Sequence, residues 1–244
     1  MTRILALWAV PRSTSTAFEW MMRQRGDFLC RHEPFGEAWY FGEDRRVPRP
    51  NATPPRPGLS FAAVWRNLRE EAGKGPVFVK DFPHYIMHMA DDSFLDRFIH
   101  SFLIRDPARM LPSMYDKWPD FLIEETGYAE QRILFDRLCE RDGQAPPLID
   151  ADDLQNRPEA TVRAYCAAVG IPFLAEALRW ESGERNAVSW YDGGSWHDNL
   201  RTSTGLAPQR TNYLSVDAND HLQQAYAECL PYYEAMRQHR LRID

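Results

Sequence analysis

The stretch ILALWAVPRSTSTAFEW, Ile4 to Trp20, decides how the chain is read. The apolar run Ile4–Val10 has the length and composition of a buried strand. Pro11 and Arg12 end it, and Ser13 onward leads into a predicted helix. A strand that enters a turn and then a helix makes an anion site. The free N–H groups at the helix start point outward, and the helix dipole places partial positive charge there. The hydroxyls of Ser13, Thr14, Ser15 and Thr16 add donors, and Arg12 adds a planar fork of N–H groups suited to phosphate or sulfate oxygens. Ser and Thr are also favoured N-caps in any protein, so the stretch taken alone reads equally as a capped helix. It has neither the Gly nor the Lys of GxxxxGK[ST], which counts against an ordinary ATP or GTP phosphotransferase.

Four more short apolar runs follow: Phe28–His32, Val77–Asp81, Ser101–Arg105 and Leu148–Ala151. Helical patterns lie between most of them. Phe61, Val64, Trp65 and Leu68 recur at the spacing of one helix face within Ser60–Ala72, and Pro158–Val169 starts on Pro and stops at Gly170. Alternating strands and helices predict an α/β fold, a central parallel sheet with helices on both faces. Ligands in such sheets bind beyond the carboxyl ends of the strands, so the residues just after each run are the ones to inspect. The expected organisation is a single domain over 1–244, carrying a Pro-rich loop at 42–58 and a long aromatic loop at 180–214 that reads as a lid or binding segment. Asp217–Arg240 reads as a helix interrupted near Pro231.

Composition bounds the partners. Hydrophobic residues make up 44% of the 244, an ordinary globular share. A net charge of −6 disfavours a nucleic-acid surface but leaves room for a local cationic pocket. Cys30, Cys139, Cys166 and Cys229 form no CxxC pair, which reads as reduced thiols in a cytoplasmic protein. Ile4–Val10 runs straight into Pro11-Arg12 with no small-residue cleavage site, so no signal peptide is expected. No run approaches the length of a membrane span.

A second anion signal is FLIRDPARMLPSMY, Phe102–Tyr115. Arg105 falls at a strand end, Asp106-Pro107 reads as an N-cap followed by Pro at the first helical position, and Ser113 comes eight residues after Arg105. Pro112 is expected to interrupt the helix. Taken alone, the segment reads as readily as a surface Arg–carboxylate pair and an exposed Ser. Together with the first loop it is more specific. Ala9–Trp20 resembles the 5′-phosphosulfate loop of sulfotransferases that use 3′-phosphoadenosine-5′-phosphosulfate. Arg105 to Ser113 resembles their 3′-phosphate motif, and LIDADDLQNRPEATVRAYCAAVGIPF, Leu148–Phe173, is similar to a further segment of that family.

The resemblance implies a P-loop-like sulfotransferase fold and the phosphosulfate donor as co-substrate, with adenosine 3′,5′-bisphosphate as product and no metal. It implies that Arg12, Ser13, Thr14, Ser15 and Thr16 hold the phosphosulfate while Arg105 and Ser113 hold the 3′-phosphate. Many members carry Lys and Gly where this chain has Arg12 and Thr14, although an Arg form of the loop exists, including in the tyrosylprotein branch. Their C-terminal Arg-Lys-Gly loop has only Arg201 and Gly205 as a weak counterpart here.

The general base is expected at Glu33, in CRHEPFGEAWYF, since some branches of the family use Glu in a Glu-Pro context. An acidic residue before a helix start is the alternative role for it. Alternation points His32 to the opposite face. Lys80 at the end of the third strand is a candidate for binding acceptor or phosphosulfate, with Asp81 to orient it, and a plain salt bridge is the alternative. Asp152-Asp153 reads as a cap. His84 and His88, four apart, lack a third metal ligand. Candidate acceptor contacts are Trp39, Tyr40, His84, Trp196 and His197, with Trp190 and Tyr191 in the same late segment. They suit a hydrophobic small-molecule alcohol, phenol or sugar, or serve as core. Two other functions compete: a nucleoside-triphosphate phosphotransferase with a degenerate loop, and a non-catalytic nucleotide-binding relative.

Overall fold

The apolar runs become the five strands of one parallel sheet: β1 (Ile4–Ala9), β2 (Leu29–His32), β3 (Val77–Asp81), β4 (Phe98–Ile104) and β5 (Leu148–Asp150), in the order β2-β3-β1-β4-β5. The computed structural model describes residues 3–47, 53–188, 191–208 and 213–243. β1 is central and buried along its whole length, which is why it reads as an unbroken apolar run rather than an alternating one. The chain steps from β1 out to β2 and β3 on one side, then crosses to β4 and β5 on the other. The order therefore reverses at β1, and the crevice beyond the ends of β1 and β4 is where such sheets bind ligands.

The helices are α1 (Ser15–Gln24), α2 (Pro34–Phe41), α3 (Phe61–Ala72), α4 (Asp92–Leu95), α5 (Pro107–Lys117), α6 (Tyr128–Asp142), α7 (Ala151–Asn156), α8 (Pro158–Val169), α9 (Asp198–Thr202) and α10 (Asp220–Arg237). Local chemistry sets several of their starts. The Ser60 hydroxyl accepts from Ala63 N at 3.1 Å, and the Asp106 carboxylate accepts from Ala108 N at 2.8 Å ahead of Pro107. Asp150, not Asp152 or Asp153, is the cap of α7, accepting from Asp152 N at 2.8 Å.

Neither proline break occurs. α5 runs through Pro112 and α10 through Pro231. Each proline removes one intrahelical bond, but burial on either side outweighs that loss: Met110, Leu111 and Met114 in α5, and Leu222, Ala225, Cys229, Tyr233 and Met236 in α10. The late aromatic segment is not a bare loop, since its described residues contain short 3-10 turns and α9. Of the Pro-rich segment, 42–47 and 53–58 are irregular, and 48–52 lie outside the described residues.

A polar tie aligns β1 with β4. The fully buried Gln131 donates through Nε2 to Trp8 O at 3.1 Å and to Leu103 O at 3.0 Å. Trp8 Nε1 donates to His100 Nδ1 at 2.9 Å, leaving His100 Nε2 to donate to Leu95 O at 3.0 Å. These bonds fix the two strands whose following loops carry Arg12 and Arg105.

Candidate active site

Among the described residues, three that are not glycine have positive φ: Arg12 (56°), Thr14 (71°) and Glu33 (44°). All three line one cavity of about 390 Å³ at the carboxyl ends of the strands. Such conformations cost about 1–3 kcal/mol each and persist where the surroundings enforce them. Thr14 adopts the left-handed conformation that Gly favours, at the position where many members of the family the sequence resembles carry Gly.

The loop after β1 does not behave as a capped helix. Thr14 is at the N-cap of α1 but makes no cap bond, and its Oγ1 accepts from Gln155 Nε2 of α7 at 2.9 Å. Ser13 Oγ turns back to Val10 O at 2.6 Å. Residues 13–17 line the cavity, so the start of α1 opens into it.

Both anion segments meet here. Arg12 Nε donates to Ser113 Oγ at 2.9 Å, and Arg12 Nη1 donates to the Trp196 carbonyl, with the guanidinium 5.8 Å from the Trp196 ring centroid. Arg105 Nη1 donates to the Arg12 carbonyl, while Arg105 Nε is buried with no hydrogen-bond partner. Burial pulls the Arg105 guanidinium below its usual range. Tyr128 holds the backbone at this point, its hydroxyl donating to Arg105 O at 2.7 Å.

The other wall carries the ionisable pairs. Glu33 follows β2 in a left-handed turn and pairs with the Lys80 ammonium, which is wholly buried. The same turn defeats strict alternation, and His32 and Glu33 both line the cavity. Asp81 accepts from Phe35 N at 2.8 Å and Phe82 N at 2.9 Å, and so anchors the first turn of α2. Burial, then the nearby Glu33 charge, pushes the Asp81 carboxyl well above its usual range.

Tyr40, Trp196 and His197 line the cavity, together with Phe82, Tyr85, Trp118 and Tyr191. Lys80 reaches it only through Glu33, and Trp39 and His84 pack behind Tyr85, with ring centroids 5.4 and 4.1 Å from it. His88 meets Phe61 edge-on, with ring centroids 4.4 Å apart. Gly205 lines the cavity, whereas Arg201 bonds Asp198 and Gly193 O at 2.9 and 3.0 Å. Trp190 lies outside the described residues.

Several cavity residues carried no sequence signal: Glu125, Gln155, Tyr213, and Arg109, which pairs with Asp152 at 3.0 Å. Tyr213 bonds Ser113, Arg12 and Asn199. Burial works against ionisation of its phenol, but the Ser113 bond and the Arg12 charge outweigh it and pull the phenol below its usual range. Among the described residues no three His, Cys, Asp or Glu side chains group as a metal site, and no helix is long and apolar enough to cross a membrane.

A family model described as a sulfotransferase domain matches residues 2–240. A branched-chain-amino-acid aminotransferase-like protein 2 of Arabidopsis thaliana is 30% identical over 243 residues, covering 97% of this chain and 42% of that protein. Sulfotransferase ppzF of Metarhizium rileyi is 25% identical over 190 residues, covering 63% of this chain and 56% of that one. The chain thus spans about half the length of these relatives. The sulfotransferase domain from the curacin biosynthetic pathway superposes with a TM-score of 0.52 at 14% identity, covering 93% of this chain and 97% of that one. The five-stranded parallel sheet and its helices share that P-loop-like fold.

Proposed function

We propose that this chain, which belongs to the sulfotransferase domain family, moves a sulfuryl group from 3′-phosphoadenosine-5′-phosphosulfate to a hydroxyl or amine of a small molecule. The observation that carries the reading is the convergence of Arg12, Arg105, Ser113 and the open start of α1 on one cavity. A donor with anionic groups at two ends needs two sets of cationic and N–H donors. Arg105 Nε, buried without a partner, is a donor of the kind a bound phosphate satisfies.

In this reading Arg12, the hydroxyls of Thr14, Ser15 and Thr16 and the α1 N–H groups hold the phosphosulfate, Ser13 shapes the loop through its bond to Val10 O, and Arg105 and Ser113 hold the 3′-phosphate. The donor supplies the electrophilic sulfur and a phosphate leaving group. The chain supplies position and fixed positive charge, the larger share of the effect in transfers of this kind. Glu33 takes the acceptor proton, and Lys80 holds the Glu33 carboxylate in place. Tyr40, Tyr85, Phe82 and Trp196 give the acceptor an aromatic wall.

Two measurements test this. Adenosine 3′,5′-bisphosphate should bind more tightly than ATP, and Arg105→Ala should weaken it roughly 10- to 150-fold, the equivalent of about 1.5–3 kcal/mol for a bond to a charged group. Labelled sulfate from the donor should pass to at least one acceptor among nitrophenol, naphthol, primary alkanols and phenethylamine. Tighter binding of ATP with dependence on Mg²⁺ would favour a phosphotransferase. Bisphosphate binding without transfer would favour a non-catalytic relative.

A further inference from the structure

The scheme above leaves one buried pair unused. Glu19, on the second turn of α1, is fully buried and lies beneath the cavity wall. Its Oε1 takes Arg23 Nε and Nη2 at 2.9 and 2.7 Å, and its Oε2 lies 2.5 Å from His32 Nδ1. The two charge-assisted bonds from Arg23 keep Glu19 an ionised carboxylate despite its burial. An ionised carboxylate only accepts, so Nδ1 carries the hydrogen of that bond. Nε2 is then the nitrogen at which His32 gains or loses a proton. The His32 ring lines the cavity, meets His197 edge-on at 5.1 Å, and has Nε2 3.8 Å from Glu33 Oε1.

The Glu33–Lys80 pair supplies the reason to look here. A proton left on Glu33 strips the wholly buried Lys80 ammonium of its counter-charge, and an uncompensated buried charge is among the costliest arrangements in a protein. We propose that His32, oriented by Glu19, is a second proton-accepting residue of the site and relieves Glu33 of the acceptor's proton. This rests on the sulfuryl-transfer reading above. For a hydroxyl acceptor, the O–H bond breaks as its oxygen forms the new O–S bond. The S–O bond to the donor phosphate breaks and its electron pair leaves with the phosphate. The proton passes to Glu33 and then, as Glu33 Oε1 and His32 Nε2 close from 3.8 Å to hydrogen-bond distance, to His32 Nε2. The resulting imidazolium has Glu19 on one side and Glu33 on the other, while Glu33 regains its ion pair with Lys80. Other charged or titratable groups near this ring include Arg23 through Glu19, Lys80 through Glu33, and His197.

The test uses the full chain, the phosphosulfate donor, and whichever acceptor of the panel above turns over fastest. His32→Gln keeps an amide N–H for Glu19 but cannot carry the proton. Its kcat should fall roughly 10²-fold, at the lower end of general acid–base effects, with bisphosphate affinity unchanged. His32→Ala should fall similarly and recover at least tenfold on adding imidazole. Across substituted imidazoles, recovery should rise with the basicity of the free base. A structural plug would not follow basicity. The proposal is overturned if His32→Gln keeps its kcat, if it loses bisphosphate affinity in step with kcat, or if recovery ignores basicity. A wild-type chain that transfers no sulfuryl group overturns the underlying reading as well. An active wild type with any of the other outcomes overturns this proposal alone.

Discussion

The Glu33–Lys80 pair makes a quantitative prediction, because its two charges share one desolvated site. The side chains are 10% and 0% exposed, and the Lys80 ammonium lies 5.1 Å from the Phe82 ring centroid. Glu33→Gln leaves that ammonium buried without its carboxylate. Lys80→Met leaves the carboxylate beside Asp81, whose own carboxyl is already pushed up by burial and by Glu33. Breaking a buried pair from either side costs about 3–5 kcal/mol, whereas replacing both charges with groups of similar volume is often near neutral. The left-handed backbone at residue 33 is common to all variants and cancels. The double variant Glu33→Gln/Lys80→Met should therefore be more stable than either single one. The coupling in a double-mutant cycle should be at least about 2 kcal/mol.

Urea unfolding with an unchanged m-value is the assay. Turnover is the second readout. Glu33→Gln should slow it roughly 10²–10⁴-fold, and the double variant should stay slow although its stability returns. Single losses that simply add, to within about 0.5 kcal/mol, refute the buried-pair argument. A double variant that recovers turnover refutes Glu33 as the base.

Two further outcomes follow from backbone and burial. At Thr14 the left-handed conformation costs any residue with a Cβ about 1–2 kcal/mol, so Thr14→Gly should be more stable than Thr14→Ala by about 1 kcal/mol in thermal or urea melts, both variants having lost the Gln155 bond. His84 is held neutral by burial, its pKa pulled down to about 3, with Nδ1 unpartnered and facing Gly127. Between about pH 4.5 and 6 the unfolded chain binds a proton there that the native state does not, so stability falls as pH falls. His84→Phe should reduce that slope by up to about 1.4 kcal/mol per pH unit in urea melts across the range, and an unchanged slope would contradict the burial of a neutral imidazole.

Much of the architecture was legible because it rests on local rules. Buried parallel strands are apolar throughout, so Ile4–Ala9 and Val77–Asp81 stand out in the chain, and β4 differs mainly by starting at Phe98 rather than Ser101. Ser60 and Asp106 announce helix starts because a cap bond spans only two or three residues. Pro112 and Pro231 misled for the opposite reason. A proline's local penalty is visible in sequence, while the packing that outweighs it is contributed by residues far away.

The candidate site divides along the same line. The sequence by itself placed Arg12 after β1, Arg105 after β4 and Glu33 after β2, since chemistry at a strand's carboxyl end can be read from the strand. Only the tertiary structure decided what those groups touch. It set Arg12 against Ser113 across a separation of 101 residues, joined Glu33 to a buried Lys80, and turned His32 onto Glu19. It also withdrew Trp39 and His84 behind Tyr85 and brought Tyr213 and Gln155 to the cavity. The physical reason is desolvation. Whether a charge works in solvent or in a buried pair depends on which distant side chains exclude water from it, and no local pattern records that.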